Sequence, residues 1–315
     1  MSARIIMKLK VEAAVATTPD IVRLSLVHPH RPTLPLWEPG AHVDLRLPDG
    51  RVRQYSLCSD PADLGRYEIA IKREDLGRGG SVWAHANLLE GSTAHVSHPR
   101  NNFPLQDDAI RHVFVAGGIG VTPFLAMAHS LAARRQEYEL HLCARAPTHA
   151  PLLSELRAVC GDKLRCWYSS EARRFDPDVL PRPQAGVHIY ACGPQSLMDS
   201  LQSDLKKKGW PLDQVHVEHF GALDDENFAP EPFDVLIKST GRAVHIPAER
   251  SLLDVLREEG FRMSSSCGIG VCGACECGYS DGTVIHRDVV LASAKRHDRM
   301  IPCVSRAKGR LTLLL

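Results

Sequence analysis

The sequence predicts a multi-domain chain: an antiparallel β-barrel, then an α/β domain on a parallel sheet, then a small α+β domain. Three observations carry this. Residues 1–103 hold short strand-like runs, VRLSLVH, HVDLRL and YEIAIKRE, cut by EPG, PDG and LEGS, which is the punctuation of an all-β barrel. From Ile110 to Phe220 strand-like and helix-like stretches alternate instead, as HVFVAGG, TPFLAMAHSLAARR, YELHLCAR and APLLSELRAVC, and alternation of this kind builds a parallel sheet with helices on its faces. The acidic, proline-bearing stretch ALDDENFAPEP (222–232) then reads as a linker. Beyond it come a hairpin-like DVLIKSTGRAVHIP and a helix-like SLLDVLREEG, which Ser251 can cap and Gly260 can end. The boundaries expected are 1–103, 104–221, a linker at 222–231, and 232–315.

With 315 residues the chain is too long for one ordinary core, and 44% hydrophobic with 24% charged residues is a globular composition. A formal net charge of +1 gives no support to a nucleic-acid surface; the one basic run, Lys206–Lys208, reads as a solvated helix end. No apolar span approaches the length of a transmembrane helix, and MSARIIMKLK lacks the apolar core of a signal peptide. The expectation is a soluble cytoplasmic protein whose ten cysteines are thiols rather than disulfides, with no membrane contact.

Cys267, Cys272 and Cys275 fall in CGIGVCGAC, and Cys303 follows 28 positions after Cys275 in MIPCVSR. This C-x4-C-x2-C…C spacing is the plant-type signature for four thiolates around a [2Fe–2S] cluster. Gly268, Gly270 and Gly273 allow the tight loop that brings amide N–H groups toward the sulfurs. A structural zinc site or plain core thiols are the alternatives, but zinc usually takes two close ligand pairs, which a lone Cys303 does not supply. Cys277, two positions from a ligand, reads as a bystander thiol that can replace Cys275 only if the loop shifts.

AGGIGVTPFLAM directly follows the strand HVFV and precedes a helix. Gly117, Gly118 and Gly120 allow close approach to a pyrophosphate, Thr122 can cap the helix, and Pro123 suits its first turn. The run is G-G-x-G-x-x-P rather than the usual dinucleotide fingerprint, and Glu139, about 20 positions on, falls before the expected core of the next strand. A mere tight turn is the alternative. IYACGPQSLMDSL repeats the strand-turn-helix logic, so Cys192, Gly193 and Pro194 border the same crevice. In the first block, RQYSLCS and IKREDLGRGGSVWAH are the polar exceptions. Arg53 can neutralise a phosphate or the electron-rich end of a flavin, Tyr55 can stack, and Ser56 can hydrogen-bond. GRGGS offers Arg78, glycine-flanked amides and Ser81 to a phosphomonoester. A barrel with a core Tyr and a surface Arg on a glycine turn explains the same residues.

Together these motifs resemble the phthalate dioxygenase reductase family, within the ferredoxin–NADP reductase superfamily, over essentially the whole chain. The resemblance implies a flavin barrel, a pyridine-nucleotide domain and a C-terminal plant-type ferredoxin of β-grasp fold. It implies FMN, NADH as donor, and single-electron delivery to an oxygenase component, often a Rieske non-haem iron enzyme or aromatic O-demethylase. RQYSL carries isoalloxazine contacts over to Arg53, Tyr55 and Ser56, with Ser56 beside the reactive N5. GRGGS gives the FMN-phosphate loop to Arg78, Gly80 and Ser81, and GGIGVTP gives the nucleotide loop to Gly117–Pro123, with Gly118, Gly120 and Thr122. ACGP places Cys192, Gly193 and Pro194 beside the nicotinamide. EHF assigns Phe220 to cover the flavin, with Glu218 as a polar neighbour. Ser56 and Cys192 then position the reacting rings.

FMN is favoured over FAD because this phosphate loop accompanies the cluster domain in the family. NADH is favoured over NADPH with less force, since APTHAP after YELHLCAR offers neither a ribose-binding carboxylate nor a Ser/Arg pair; Arg145 or His149 can contact either form. A monomer with a transient oxygenase partner is the expected assembly. Other acceptors stand as alternatives, namely a separate ferredoxin or a haem monooxygenase. A flavin oxidase or ferric reductase needs no attached ferredoxin, and a non-enzymatic iron–sulfur carrier explains only the last 80 or so residues.

Overall fold

The structure is a computed structural model that describes residues 6–77, 79–220 and 228–315. It divides into two compact units, Met1–Glu218 and His219–Leu315. Of the linker expected at 222–231, residues 222–227 lie outside the described residues, as do residues 1–5.

The first unit begins with seven strands: β1 (Ile6–Thr18), β2 (Ile21–Val27), β3 (Ala41–Arg46), β4 (Val52–Ser56), β5 (Tyr67–Lys72), β6 (Thr93–Ser97) and the short β7 (Arg100–Asn101). They pair antiparallel in the order β4-β3-β6-β1-β2-β5, with β7 on β3. The alternation along β1, where Met7, Leu9 and Val11 are buried and Lys8, Lys10 and Glu12 exposed, sets its inward face. The chain leaving β4 meets β5 through one antiparallel bridge, Leu57 to Ile69, and the Cys58 N–H donates to the Glu68 carbonyl at 2.9 Å. That bridge closes the expected barrel. Helix α1 (Gly80–Asn87) follows β5.

Five parallel strands follow, β8 (Arg111–Gly117), β9 (Glu137–Ala144), β10 (Leu164–Tyr168), β11 (Val187–Cys192) and β12 (Val215–Glu218), in the order β10-β9-β8-β11-β12. Helices α2 (Thr122–Ala133), α3 (Leu153–Cys160) and α4 (Gln195–Lys207) complete the doubly covered sheet. The order reverses between β9-β8 and β11, so the carboxyl ends of β8 and β11 form a topological switch point, where α/β sheets bind ligands. Val121, Phe124 and Leu125 share an apolar cluster with Cys58 and Ala70 of the barrel, and Arg23 on β2 pairs with Glu155 on α3 at 2.5 Å. Barrel and parallel sheet are therefore packed into one unit.

In the second unit β13 (Phe233–Ile237), β14 (Arg242–Ile246), β15 (Cys277–Ile285), β16 (Arg299–Met300) and β17 (Arg306–Leu314) form a mixed sheet in the order β14-β13-β17-β15-β16. Here β13 runs parallel to β17 and the other pairs are antiparallel. Helix α5 (Leu252–Glu258) buries Leu252, Val255 and Leu256 against that sheet, a β-grasp arrangement. Ser251 caps α5 by accepting the Asp254 N–H at 3.1 Å, and Gly260 at φ 87 follows its end. Among the described residues no helix is long and apolar enough to cross a membrane.

Candidate functional site

The CGIGVCGAC loop is shaped by its glycines: Gly268, Gly270 and Gly273 have φ of 67°, 80° and 67°, conformations that side chains with a Cβ rarely adopt. The loop and the turn before β17 gather the four cysteine thiols within mutual hydrogen-bonding reach, Cys267 with Cys272 and Cys303, and Cys303 with Cys275. Their deprotonations are linked: hydrogen bonds from Cys272 and then Cys303 favour the Cys267 thiolate, and the contacts with Cys267 and then Cys275 favour the protonated form of Cys303. Backbone donors also reach the sulfurs, Ile269 N–H to Cys267 Sγ at 3.4 Å and Cys267 N–H to Cys272 Sγ at 3.5 Å. Among the described residues no three His, Cys, Asp or Glu side chains form a cage for a single metal ion. A soft four-sulfur donor set joined in pairs fits two irons bridged by sulfide. Cys275 and Cys303 share a small apolar cluster with Leu253, Leu291 and Ile301, whereas Cys277 belongs to the main core with Phe233, Tyr279 and Met300. Burial pushes the Cys277 thiol up to about 12.

At the switch point the carboxyl ends of β8 and β11 meet through glycines. A Cβ on Gly117 would lie 2.5 Å from Pro194 Cδ, one on Gly120 2.3 Å from the Cys192 carbonyl oxygen, and one on Gly193 2.8 Å from Gly117 Cα. Three of the four glycines are thus required by the close approach of two loops; only Gly118, at φ +53, faces open space. Cys192 ends β11 fully buried, in register with Ala116 on β8 and Glu218 on β12. Burial pushes its thiol well up, and the neighbouring Glu218 adds to the shift, so it stays protonated near neutral pH. Burial also pushes the Glu218 carboxyl up to about 8, with Oε2 lacking a hydrogen-bond partner among the described residues.

Arg53 and Tyr55 lie on one face of β4, two residues apart. The start of α1 crosses that face: a Cβ on Gly80 would lie 2.7 Å from Arg53 Nε. Gly79 precedes the helix at φ 75, and among the described residues no side chain caps its first turn, whose N–H groups and positive dipole end are suited to an anion. The Ser81 hydroxyl accepts the Glu74 N–H at 3.0 Å and closes the loop. Tyr55 is kept a neutral phenol, its pKa pushed up to about 12 by burial against the opposing pull of Arg53. Ser56 ends the strand, buried. A guanidinium, a glycine pair and open helix N–H groups fit a phosphate-bearing flavin.

Residues 235–308 match the family described as 2Fe-2S iron-sulfur cluster binding domain. Residues 97–215 match that described as dimethylamine monooxygenase subunit DmmA-like, N-terminal domain. Over 313 residues the chain is 39% identical to a phthalate 4,5-dioxygenase oxygenase reductase subunit of Pseudomonas putida, covering 97% of this chain and 95% of that one. It is 38% identical to a heme-dependent oxidative N-demethylase beta subunit of Ectopseudomonas mendocina (strain ymp), over 96% of each chain. The solved structure of a phthalate dioxygenase reductase, described as modular for electron transfer from pyridine nucleotides to [2Fe-2S], superposes with a TM-score of 0.81 at 36% identity, covering 98% of both. The chain belongs to the phthalate dioxygenase reductase family.

For a phthalate dioxygenase reductase fold, several residues stand differently from expectation. Thr122 does not cap α2: Val121 holds the cap position, and the Thr122 hydroxyl, inside the first turn, donates to the Ile119 carbonyl at 3.1 Å. Pro123 does occupy the first turn. Glu139 lies within β9, opposite Val113, where it is buried and pairs with the partly exposed Arg111 at 3.1 Å rather than at a ribose. Arg78 lies outside the described residues, and Phe220, 37% exposed, stands in the second unit just beyond Glu218. Two groups of residues escaped the sequence reading. Arg51, in the turn before β4, reaches toward Gly79. The loop after β10, with Ser169, Glu171 and Arg173, is tied to the loop after β9 by the Ser170 N–H donating to the Arg145 carbonyl at 2.9 Å. Its signal was present in where β10 stops, since open α/β sheets bind outside the carboxyl ends of several strands.

Proposed function

We propose that this chain is an NADH-dependent reductase that passes electrons through FMN and a [2Fe–2S] cluster, one at a time, to an oxygenase component. The observation that carries the reading is the quartet Cys267, Cys272, Cys275 and Cys303, in one chain with a glycine-packed junction at the switch point of a parallel sheet. When bound, the flavin supplies the conversion between a two-electron hydride donor and a one-electron acceptor.

The chain's own residues bind and orient. Arg53, Gly80 and Ser81 hold the phosphate end of the flavin, with Arg78 assigned there by the family motif; Tyr55 offers a neutral ring face, and Ser56 a buried hydroxyl. Gly117, Gly120 and Gly193 let the β8 and β11 loops close on each other, so that the amides from Gly118 onward and the start of α2, with Thr122, face the dinucleotide. Cys192 and Pro194 wall the nicotinamide side. Cys192, kept protonated by burial, is a positioning group and not a nucleophile. Phe220 covers the flavin in this reading. The four cysteines hold the irons, and the Ile269 and Cys267 amides donate to their sulfurs.

The same reading divides the chain into a flavin domain at 1–103, a nucleotide domain at 104–221, a linker at 222–231 and a ferredoxin domain at 232–315. It makes the protein a monomer, and a cytoplasmic one in keeping with ten cysteines outside any disulfide. The acceptor is a Rieske non-haem iron oxygenase or aromatic O-demethylase. A haem-dependent acceptor is the second reading, favoured by the 38% identity to a subunit of a heme-dependent N-demethylase. Purified protein should show flavin and cluster absorption that NADH bleaches, and the extracted flavin should be FMN; a flavin-free protein, or one that NADH leaves oxidised, overturns the assignment. Mixing the reduced protein with purified Rieske and haem oxygenases, and following cluster reoxidation, decides between the acceptors.

A further inference from the structure

Arg51 lies in the turn that joins β3 to β4. Gly50, at φ +82, makes the bend. The Gly50 N–H donates to the Leu47 carbonyl at 3.0 Å and the Leu47 N–H to the Arg51 carbonyl at 2.8 Å, which fixes the Arg51 backbone. Asp49 then fixes the side chain. Its Oδ1 accepts the Arg51 N–H at 3.0 Å, and its Oδ2 accepts Nε at 2.7 Å and lies 2.5 Å from Nη2. With the Nε–Nη2 edge on Asp49, the far end of the guanidinium is turned toward α1: Nη1 and Nη2 lie 3.8 and 3.9 Å from where a Cβ on Gly79 would stand.

Arg53, two residues on and on the same side of an extended chain, does likewise at the next glycine, with Nε 2.7 Å from the Cβ position of Gly80. Two guanidiniums, one from the β3–β4 turn and one from β4, thus lie against two successive glycines at the start of α1. A surface salt bridge between neighbours explains the Asp49 contact, but not why Arg51 and Arg53 converge on the same glycine pair.

We propose that Arg51 is a further cation for the terminal phosphate of the flavin, acting with Arg53 beside the Arg78 that the family motif assigns there, and that it adds to the site's selectivity for a phosphomonoester. The proposal rests on the FMN reading given above. A phosphomonoester carries close to two negative charges near neutral pH, whereas each phosphate in a diphosphate bridge is substituted on both sides, by an ester and an anhydride link, and carries one. A further guanidinium, oriented to present paired N–H donors, favours the more highly charged dianion over a phosphate of single charge. Asp49 gives up some positive potential in exchange for a fixed orientation, as a partner carboxylate does for a ligating histidine.

The test compares FMN with riboflavin, which has the same ring and no phosphate, by fluorescence titration of the flavin-depleted full chain. Arg51→Gln should weaken FMN binding about ten- to hundred-fold, the range of one charge-assisted hydrogen-bonded contact, and leave riboflavin binding unchanged. Arg51→Lys should recover part of the loss, since charge returns without the fork. An equal loss for both flavins would assign Arg51 to the fold alone and overturn the proposal, as would undiminished FMN binding. If the wild-type chain binds FMN no more tightly than riboflavin, the phosphate-loop reading itself fails, an outcome distinct from failure at Arg51.

Discussion

A Cβ on Gly120 would stand 2.3 Å from the Cys192 carbonyl oxygen and 2.8 Å from the Gly193 nitrogen, and both atoms are backbone, so no side-chain rotation relieves the overlap. Gly118, three residues from Cβ-bearing Val121 in the same loop, has open space but a φ of +53. The two positions therefore fail for different reasons when substituted. Gly120→Ala should cost about 1–3 kcal/mol by forcing the β8 and β11 loops apart, and should raise the KM for NADH with it. Gly118→Ala should cost about 1 kcal/mol from the left-handed backbone alone, and Gly118→Asn less, because Asn tolerates that region. Denaturant unfolding beside steady-state kinetics separates them; equal effects at both sites would mean that loop contact is not what Gly120 provides. Glu218 supplies a second test. Its folded pKa of about 8 exceeds the ordinary 4.5, so between those values the folded chain binds the extra proton. The sign follows: the contribution is fully present below about pH 4.5 and is lost as pH rises through about 8, at up to about 1.4 kcal/mol per pH unit. Glu218→Gln should flatten the fall in melting temperature between about pH 5 and pH 8, and an unchanged profile would place the titrating group elsewhere.

Strands β8, β11 and β12 bring together three histidines that lie far apart in the chain. His112 and His188 are in direct register, and His216 on β12 is in register with Tyr190. His188 Nδ1 and His216 Nε2 are 3.0 Å apart, and the His216 ring stacks on Tyr190 at 4.5 Å. His112 packs between Phe114 and Tyr190 at 1% exposure. Burial first, and then the neighbouring His188, push its pKa down to about 4, while the Glu137 and Gln106 backbones oppose the shift; His216 is pushed down for the same leading reason. Here the unfolded chain binds protons that the folded chain refuses, so stability is full above pH 6.5 and falls toward pH 4. His112→Phe should lose less stability than the wild type between about pH 7.5 and pH 5 in chemical denaturation; an equal loss would clear His112. This ladder was invisible in the sequence because only the strand order β8-β11-β12 assembles it. The strands themselves were legible, since parallel strands buried on both faces read as continuous apolar runs such as HVFVAGG. The cysteine loop was legible because its spacing is local. Arg51 was not, because a surface arginine after a PDG turn has no signature until α1 folds over it. Thr122 was misplaced by one residue, a shift that separates a cap from a first turn.

At the scale of the whole molecule the chain is two compact units, and the candidate iron ligands all lie in the second, whereas the candidate flavin and nucleotide residues, Phe220 excepted, lie in the first. Cores that do not share side chains can fail separately. Cys303 sits with Leu253, Leu291 and Ile301 around the thiol quartet, and Cys277 sits in the sheet core with Phe233 and Met300. Cys303→Ala should abolish the cluster's electron paramagnetic resonance signal in the reduced protein and stop electron delivery to an oxygenase, while NADH oxidation with an artificial two-electron acceptor stays within about two-fold of wild type. Cys277→Ala should leave that signal intact and instead cost about 1 kcal/mol of stability in the second unit, the range for removing a small buried group. Retention of a normal signal in Cys303→Ala would remove Cys303 from the ligand set. Loss of the signal in Cys277→Ala, with the unit still folded, would move the fourth ligand to the strand that now reads as core. Loss of NADH oxidation in both variants would show that the two units fold as one, and that the pathway cannot be divided where the contacts divide it.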